Sequence, residues 1–198
     1  MIVNTKTLKS SGMGLAVLAV LALPVAASAA SDTANTVINA TVESTISVSS
    51  FSPVEISLTP SGSEVVSSAS DTVTVSTNNS GGYTLTLVNA DGDTDLVSGT
   101  DTISAHAGTS TVPTALATNT WGYAVAGGNF DGSYSAETNS TTSSSKWAGV
   151  PTGTPVTLKT TATTASSDPT TVWYGVNVDD TQPTGTYTDT VTYTATTN

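Results

Sequence analysis

Cysteine and arginine are absent from this sequence. Histidine occurs once and lysine four times in 198 residues. Without cysteine there is no disulfide framework. One histidine and no cysteine cannot assemble a zinc centre of the usual ligand set. Four cations cannot build the basic stripe that neutralises phosphates, which excludes nucleic acid as a partner. Any nucleophile–base pair at neutral pH has only His106 to use as its imidazole. Aromatics are 6% of the chain, too few to spend freely outside a core. Long apolar runs are missing as well, save one near the N-terminus.

That run, Met13–Val25, follows Lys6 and Lys9 and precedes Ala27-Ser28-Ala29. A charged n-region, an apolar h-region and a small-residue cleavage site make residues 1–30 a secretory signal peptide, expected as a helix that is cleaved. The run is shorter than the ~20 residues that span a bilayer. Residues 31–198 then form the exported domain, with no membrane span after cleavage. Two lysines stand against fifteen acids there, a net charge of −13, which keeps the surface soluble and repels anionic polymers. The expected location is secreted, on the extracellular cell surface.

What is abundant is small hydroxyl: 41 Thr and 28 Ser. Thr and Val in quantity, with little Leu, Glu or Lys, favour strand over helix. Apolar and polar residues alternate in run after run, the signature of half-buried strands. Ile38, Ala40, Val42, Ile46 and Val48 alternate with Asn39, Thr41, Glu43, Thr45 and Ser47. The same period marks Val54–Leu58, Thr72–Ser76, Tyr83–Leu87, Trp121–Val125, Val156–Leu158, Val172–Val178 and Tyr187–Ala195. Turn chemistry separates the runs, as in Asn78-Asn79-Ser80-Gly81-Gly82 and Gln182-Pro183-Thr184-Gly185. The reading is an all-β, antiparallel β-sandwich of immunoglobulin-like or jelly-roll-like form, with over half of the domain in strands. Ser133–Ser145, nearly all Ser and Thr without a period, reads as a flexible loop.

Two segments carry a family likeness. Asn79-Ser80-Gly81-Gly82-Tyr83-Thr84-Leu85 resembles the first motif of the bacterial WxL cell-surface domain, with Tyr83 in the place of Trp. Tyr187-Thr188-Asp189-Thr190-Val191-Thr192-Tyr193-Thr194-Ala195 resembles the second, with Tyr193 for Trp and Ala195 for Leu. The resemblance covers about residues 37–195. It implies an exported β-sandwich held to the cell wall without a covalent link. It also implies that Tyr83, Leu85, Tyr187 and Tyr193 contact wall polymer if those positions face outward, or fill the core if they face inward.

The remaining constellations are weak. Asp91, Asp93 and Asp95 alternate on a loop, as oxygen ligands for calcium do, but Leu96 and Thr102 break the EF-hand pattern, and a hairpin tip with solvated Asp explains them equally. His106 lies near Asp101 and Ser104 without a nucleophile elbow. Glu43, Glu55, Asp179 and Asp180 show no spacing that selects a glycosidase pair. Trp121, Trp147 and Trp173 are expected in the core, with Trp147 the one to face a ligand because it follows the polar loop. Lys159, out of phase with Val156 and Leu158, is expected in solvent and so away from an intramolecular isopeptide bond. No residue is assigned to catalysis, and no cofactor beyond a calcium candidate. The expected function is a structural or adhesive domain of the cell surface, associated non-covalently with a wall or surface polymer. One alternative is a pilus or filament subunit whose Ile38–Val48 strand completes a neighbour. Short connections favour pairing of that strand inside its own molecule. A carbohydrate-binding domain is a further alternative.

Overall fold

The computed structural model describes residues 29–51 and 53–198. The signal-peptide reading therefore falls almost wholly on residues outside those described. The chain divides into two units, Met1–Thr41 and Val42–Asn198. In the first, the described residues are exposed and lack regular structure. The second is all-β, and no helix occurs among the described residues.

Nine strands run in chain order: β1 Ile46–Ser49, β2 Val65–Thr77, β3 Tyr83–Asn89, β4 Leu96–Ser98, β5 Asp101–Ala105, β6 Thr120–Ala124, β7 Val156–Thr160, β8 Ala165–Val178 and β9 Val191–Thr197. They form a six-stranded sheet in the order β1-β2-β8-β6-β5-β4 and a three-stranded sheet in the order β7-β3-β9. The backbone of the large sheet is the β2/β8 pair, in register from Val65 opposite Val178 to Val75 opposite Asp168, with a shift before Thr77 opposite Ala165. Val73 and Val75 on β2, Val172, Tyr174 and Val176 on β8, and Tyr83, Leu85 and Leu87 on β3 meet in the core between the sheets. Period-2 alternation places these side chains on facing sides of two sheets packed about 10 Å apart. Gly82 closes the β2–β3 turn at φ 79°, where a Cβ would lie 2.3 Å from the Thr161 carbonyl oxygen.

Several expectations are corrected. Strands take less than half of the described residues. The run Ile38–Val48 is a strand only from Ile46, paired antiparallel with β2. Val54, Ile56 and Leu58 do pack on the core, but their segment forms no strand. One pair, β5 with β6, is parallel. The long excursion between those strands crosses over and re-enters in the same direction, so the sandwich is not purely antiparallel. The segment 133–145, read above as a loop, is held along β2 by hydrogen bonds. Ser140 bridges Val66, the Ser68 amide donates to the Glu137 carbonyl, and the Asn139 amide donates to the Ser67 hydroxyl. Repeated Ser and Thr carry no hydrophobic period, so no local pattern marks these polar attachments.

A second core lies on the outer face of the large sheet. Gly175 alternates out of phase with Tyr174 and Val176, and the Trp147 ring lies against it: a Cβ there would meet the ring at 2.8 Å. Tyr134, from the polar loop, packs edge-on to Trp147 with centroids 5.4 Å apart. Trp147 is 1% exposed. Its expected exposure is overturned because a glycine on the sheet leaves a socket for the indole.

Candidate functional site

The positions singled out as wall contacts divide by burial. Tyr83 and Leu85 are fully buried between the sheets, and Trp147 is buried on the other face. None of the three can touch a polymer in the folded state. Tyr187 and Tyr193 are half-buried. The Tyr187 hydroxyl donates to the Pro183 carbonyl at 2.7 Å and accepts from the Gln182 amide, which holds the preceding turn. Tyr193 shares a 2.7 Å hydroxyl bond with Tyr174, tying the small sheet to the large one. Burial pushes both of these hydroxyls well above the ordinary range of a phenol.

The fully buried Tyr83 has a polar task as well. Its hydroxyl donates to Asp168 at 2.8 Å, and burial, then the Asp168 bond, pushes its pKa up to about 12. Asp168 also takes a 2.6 Å ion pair from Lys159. Lys159 thus points inward, contrary to expectation, because the β3/β7 register shifts between Leu85 and Thr86 and reverses the phase of β7. The lysine bond, ahead of the tyrosine bond, holds the Asp168 carboxyl below its ordinary range. An ionised carboxylate does not condense with an amine, so this geometry is an ion pair and not a poised isopeptide.

Asp91, Asp93 and Asp95 line an open groove with Asp189, Val97, Thr188 and Thr190. The Asp91 and Asp93 carboxylates serve the turn. Asp91 accepts from the Asp93 amide and Asp93 from the Asp95 amide, while Asn89 accepts from the Asp91 and Gly92 amides. These are Asx turns, which hold the loop without a cation. Among the described residues no group of three or more acids or histidines is placed to hold a metal, so the calcium reading of this loop is not supported by its geometry. Burial, and then the charges of Asp91 and Asp93, push the Asp189 carboxyl above its ordinary value.

His106 is buried and structural. Its Nδ1 accepts from the Ala117 amide at 3.4 Å, which leaves Nε2 to donate to the Thr114 hydroxyl at 2.8 Å. It clasps both ends of the excursion between β5 and β6. Burial lowers its pKa below the ordinary 6.5. The unfolded chain therefore takes the proton first, and stability falls as pH drops through about 6.5. Urea melts at pH 7.5 and 5.5 are expected to show this loss, and the His106→Gln protein is expected to show a smaller dependence over the same interval.

Two features escaped the sequence reading. Asp71 is a buried carboxylate in phase with Val73 and Val75 and accepts from the Phe51 amide at 2.8 Å; a lone acid inside an apolar alternation was its signal. The other is the outward face of the small sheet. Thr84 lies opposite Thr160 and Thr196, and Thr86 opposite Thr157 and Thr194. Thr192 continues the row along β9. These were merely the polar half of the alternation, but the register sets them in ranks ~4.8 Å apart across strands and ~6.7 Å along them. Local bonds reinforce the ranks: Thr84 donates to the Asn198 side chain at 2.8 Å, and Thr86 to the Thr194 carbonyl at 3.3 Å. By contrast, no Trp or Tyr is among the exposed large side chains of the described residues, so no aromatic row for stacking on sugars is formed by them. Comparison with protein-family models, curated proteins and solved structures finds no match.

Proposed function

We propose that this chain is an exported structural and adhesive domain of the cell surface, in non-covalent contact with a wall or surface polymer. The observation that carries this reading is the threonine face of the small sheet. Its hydroxyls offer hydrogen bonds in both senses, and its methyls offer apolar contact. The ranks themselves carry no charge, so they add no repulsion toward a polymer from a strongly acidic protein. β-Branched residues have few χ1 states to lose on contact. The signal-peptide pattern and the likeness of residues 79–85 and 187–195 to the WxL motifs support the same reading. The buried tyrosines then shape the sheet, and the threonines meet the ligand.

The test is co-sedimentation of the exported chain with insoluble peptidoglycan and wall polysaccharide. The double change Thr86→Lys with Thr194→Glu replaces neighbouring face positions by a compensated charge pair. It is expected to cut sedimentation at least tenfold while the melting temperature stays near that of the parent, since exposed-face changes usually alter stability by about 0.5 kcal/mol. Unchanged sedimentation of a folded variant rejects the threonine face as the contact. Fractionation of the native protein into the medium and not the envelope rejects the location.

A further inference from the structure

Residues 107–119, the excursion between β5 and β6, are held by polar bonds and not by apolar burial. None of them is fully buried, and Val112 near the tip is exposed. None of them carries a charge. Both ends of the segment are fixed. The His106 amide donates to the Trp121 carbonyl. At the far end Thr118 donates to the Glu64 carboxylate, and Asn119, at φ 55°, donates to the Asp179 carboxylate and accepts from its amide. Between these hinges the segment lies against two parts of the second core. Thr114 and Trp147 exchange both backbone hydrogen bonds, at 3.0 and 2.7 Å, and the Gly149 amide donates to the Gly108 carbonyl. The Asn177 side chain donates to the Leu116 carbonyl at 3.2 Å.

The His106 ring is the point on which the two arms of this segment converge. Gly108 and Gly149 leave room for it: a Cβ at Gly108 would meet the ring at 2.9 Å, and a Cβ at Gly149 would meet the His106 carbonyl. Nε2 bonds the Thr114 hydroxyl on one arm, and Nδ1 accepts from the Ala117 amide on the other. A proton on Nδ1 would set one N–H against another, so the Ala117 bond exists only for the neutral ring. The Thr120 hydroxyl, 3.5 Å from Nδ1, has its own proton committed to the Ala117 carbonyl at 2.6 Å. A charged ring that turned to it would still lose Ala117.

Charge around the ring is sparse. β6 and the segment Trp147–Gly149 have no acid or base among their residues, β5 has Asp101 at its far end, and Lys146 precedes Trp147. Glu64 and Asp179 stand at the hinge, bonded to Thr118 and Asn119. Tyr123 and Tyr134, on the packing elements, are pushed by burial above the phenol range. No charged side chain among the described residues bonds the imidazole. The closed arrangement also carries a cost of its own. Trp147 Nε1 and Asn177 Oδ1, both buried under this cover, have no hydrogen-bond partner among the described residues. Opening would return both groups to water.

We infer that residues 107–117 form an acid-released flap, closed over Trp147 and Asn177 while His106 is neutral and opened when the ring takes a proton. Burial, against the smaller effect of the Thr114 bond, holds the closed-state pKa below 6.5. In the open form the ring is solvated and returns to the ordinary value. The open form therefore binds the proton first. Closure is fully favoured above about 6.5 and weakens as pH falls toward the closed-state value. The pairs β2/β8 and β3/β9 contain none of the flap's bonds, so the sandwich stays folded while the flap moves. Segments with few buried side chains are the ones that open below the global transition. The inference does not rest on polymer binding, which uses the other sheet.

The test is amide hydrogen exchange of the exported chain between pH 7.5 and 5.0, corrected for the pH dependence of the intrinsic rates. The amides of Thr114, Ala117, Trp147 and Gly149 are expected to lose protection by up to about tenfold per pH unit below 6.5, the slope of a one-proton linkage. Those of Leu85 and Leu87 are expected to keep theirs. His106 is the chain's one imidazole, so its nuclear magnetic resonance titration is read without assignment, and it is expected to track the loss of protection. The His106→Gln protein is expected to show no such slope. Four-amide protection that is flat with pH overturns the inference. So does loss that spreads equally to Leu85 and Leu87, which would be global unfolding. A slope that persists in His106→Gln overturns it as well, and if that variant fails to fold, a titration of the parent imidazole that does not track the amides does the same.

Discussion

Trp147→Ala is expected to destabilise the domain by about 4 kcal/mol, in the range of large-to-small changes at buried aromatic sites. The indole is 1% exposed and rests on Gly175. Around it are Tyr134 and the backbone bridge from Trp147 to Thr114. Alanine would leave a cavity roofed by a loop that has little other apolar side chain to fill it. For a domain of this size the loss amounts to roughly 10 °C in melting temperature. Trp147→Phe is expected to lose much less, because the indole Nε1 has no hydrogen-bond partner among the described residues and a phenyl ring retains most of the packing. A thermal melt of the two variants beside the parent decides the matter. If alanine leaves the melt unchanged while co-sedimentation is lost, Trp147 is a ligand contact after all.

Tyr83→Ala is expected to cost about as much, 3–5 kcal/mol, by a different route. Tyr83 is fully buried in the central strand of the small sheet, facing the β2/β8 pair. Its removal empties the main core and strips a donor from Asp168. Tyr83→Phe separates the two contributions, because it keeps the ring and deletes only the bond to a charged acceptor, worth about 1.5–3 kcal/mol. The lower half of that range is expected, since Asp168 is partly exposed and keeps Lys159. Chemical denaturation of the phenylalanine and alanine proteins reads both costs. Equal losses would show that the hydroxyl, and not the ring, accounts for the effect. Neither variant is expected to change polymer affinity while folded, since no atom of the fully buried Tyr83 reaches the surface.

Much of the architecture could be read from the alternation alone. Tyr83–Leu87, Val172–Val178 and Thr72–Ser76 have one apolar side each, and a strand has only two sides, so their core faces followed directly. The β2–β3 turn was equally legible in Asn78–Gly82, because a positive φ leaves glycine as the residue of choice. Burial of Trp121 and Tyr123 followed from the same alternation. The limits of the strands were less legible. Ile38–Val42 has the pattern but no partner among the described residues, and Val54–Leu58 has the pattern and the burial without a ladder. Periodicity reports which side of the backbone is apolar, and a strand also needs an edge to bond.

What the sequence by itself determined is the all-β class, the inward set of the main core and the acidic, hydroxyl-rich surface, because each depends on composition or on neighbours one or two residues apart. Tertiary structure alone decided the rest. Trp147 is buried because Gly175, 28 positions later, leaves a socket on the sheet. Lys159 turns inward because the β3/β7 register shifts. The Asp91 and Asp93 carboxylates accept from amides of their own loop. The threonines become a flat face only through the registers that place β3 between β7 and β9. Those registers join residues about a hundred positions apart, and local patterning contains no term that couples them.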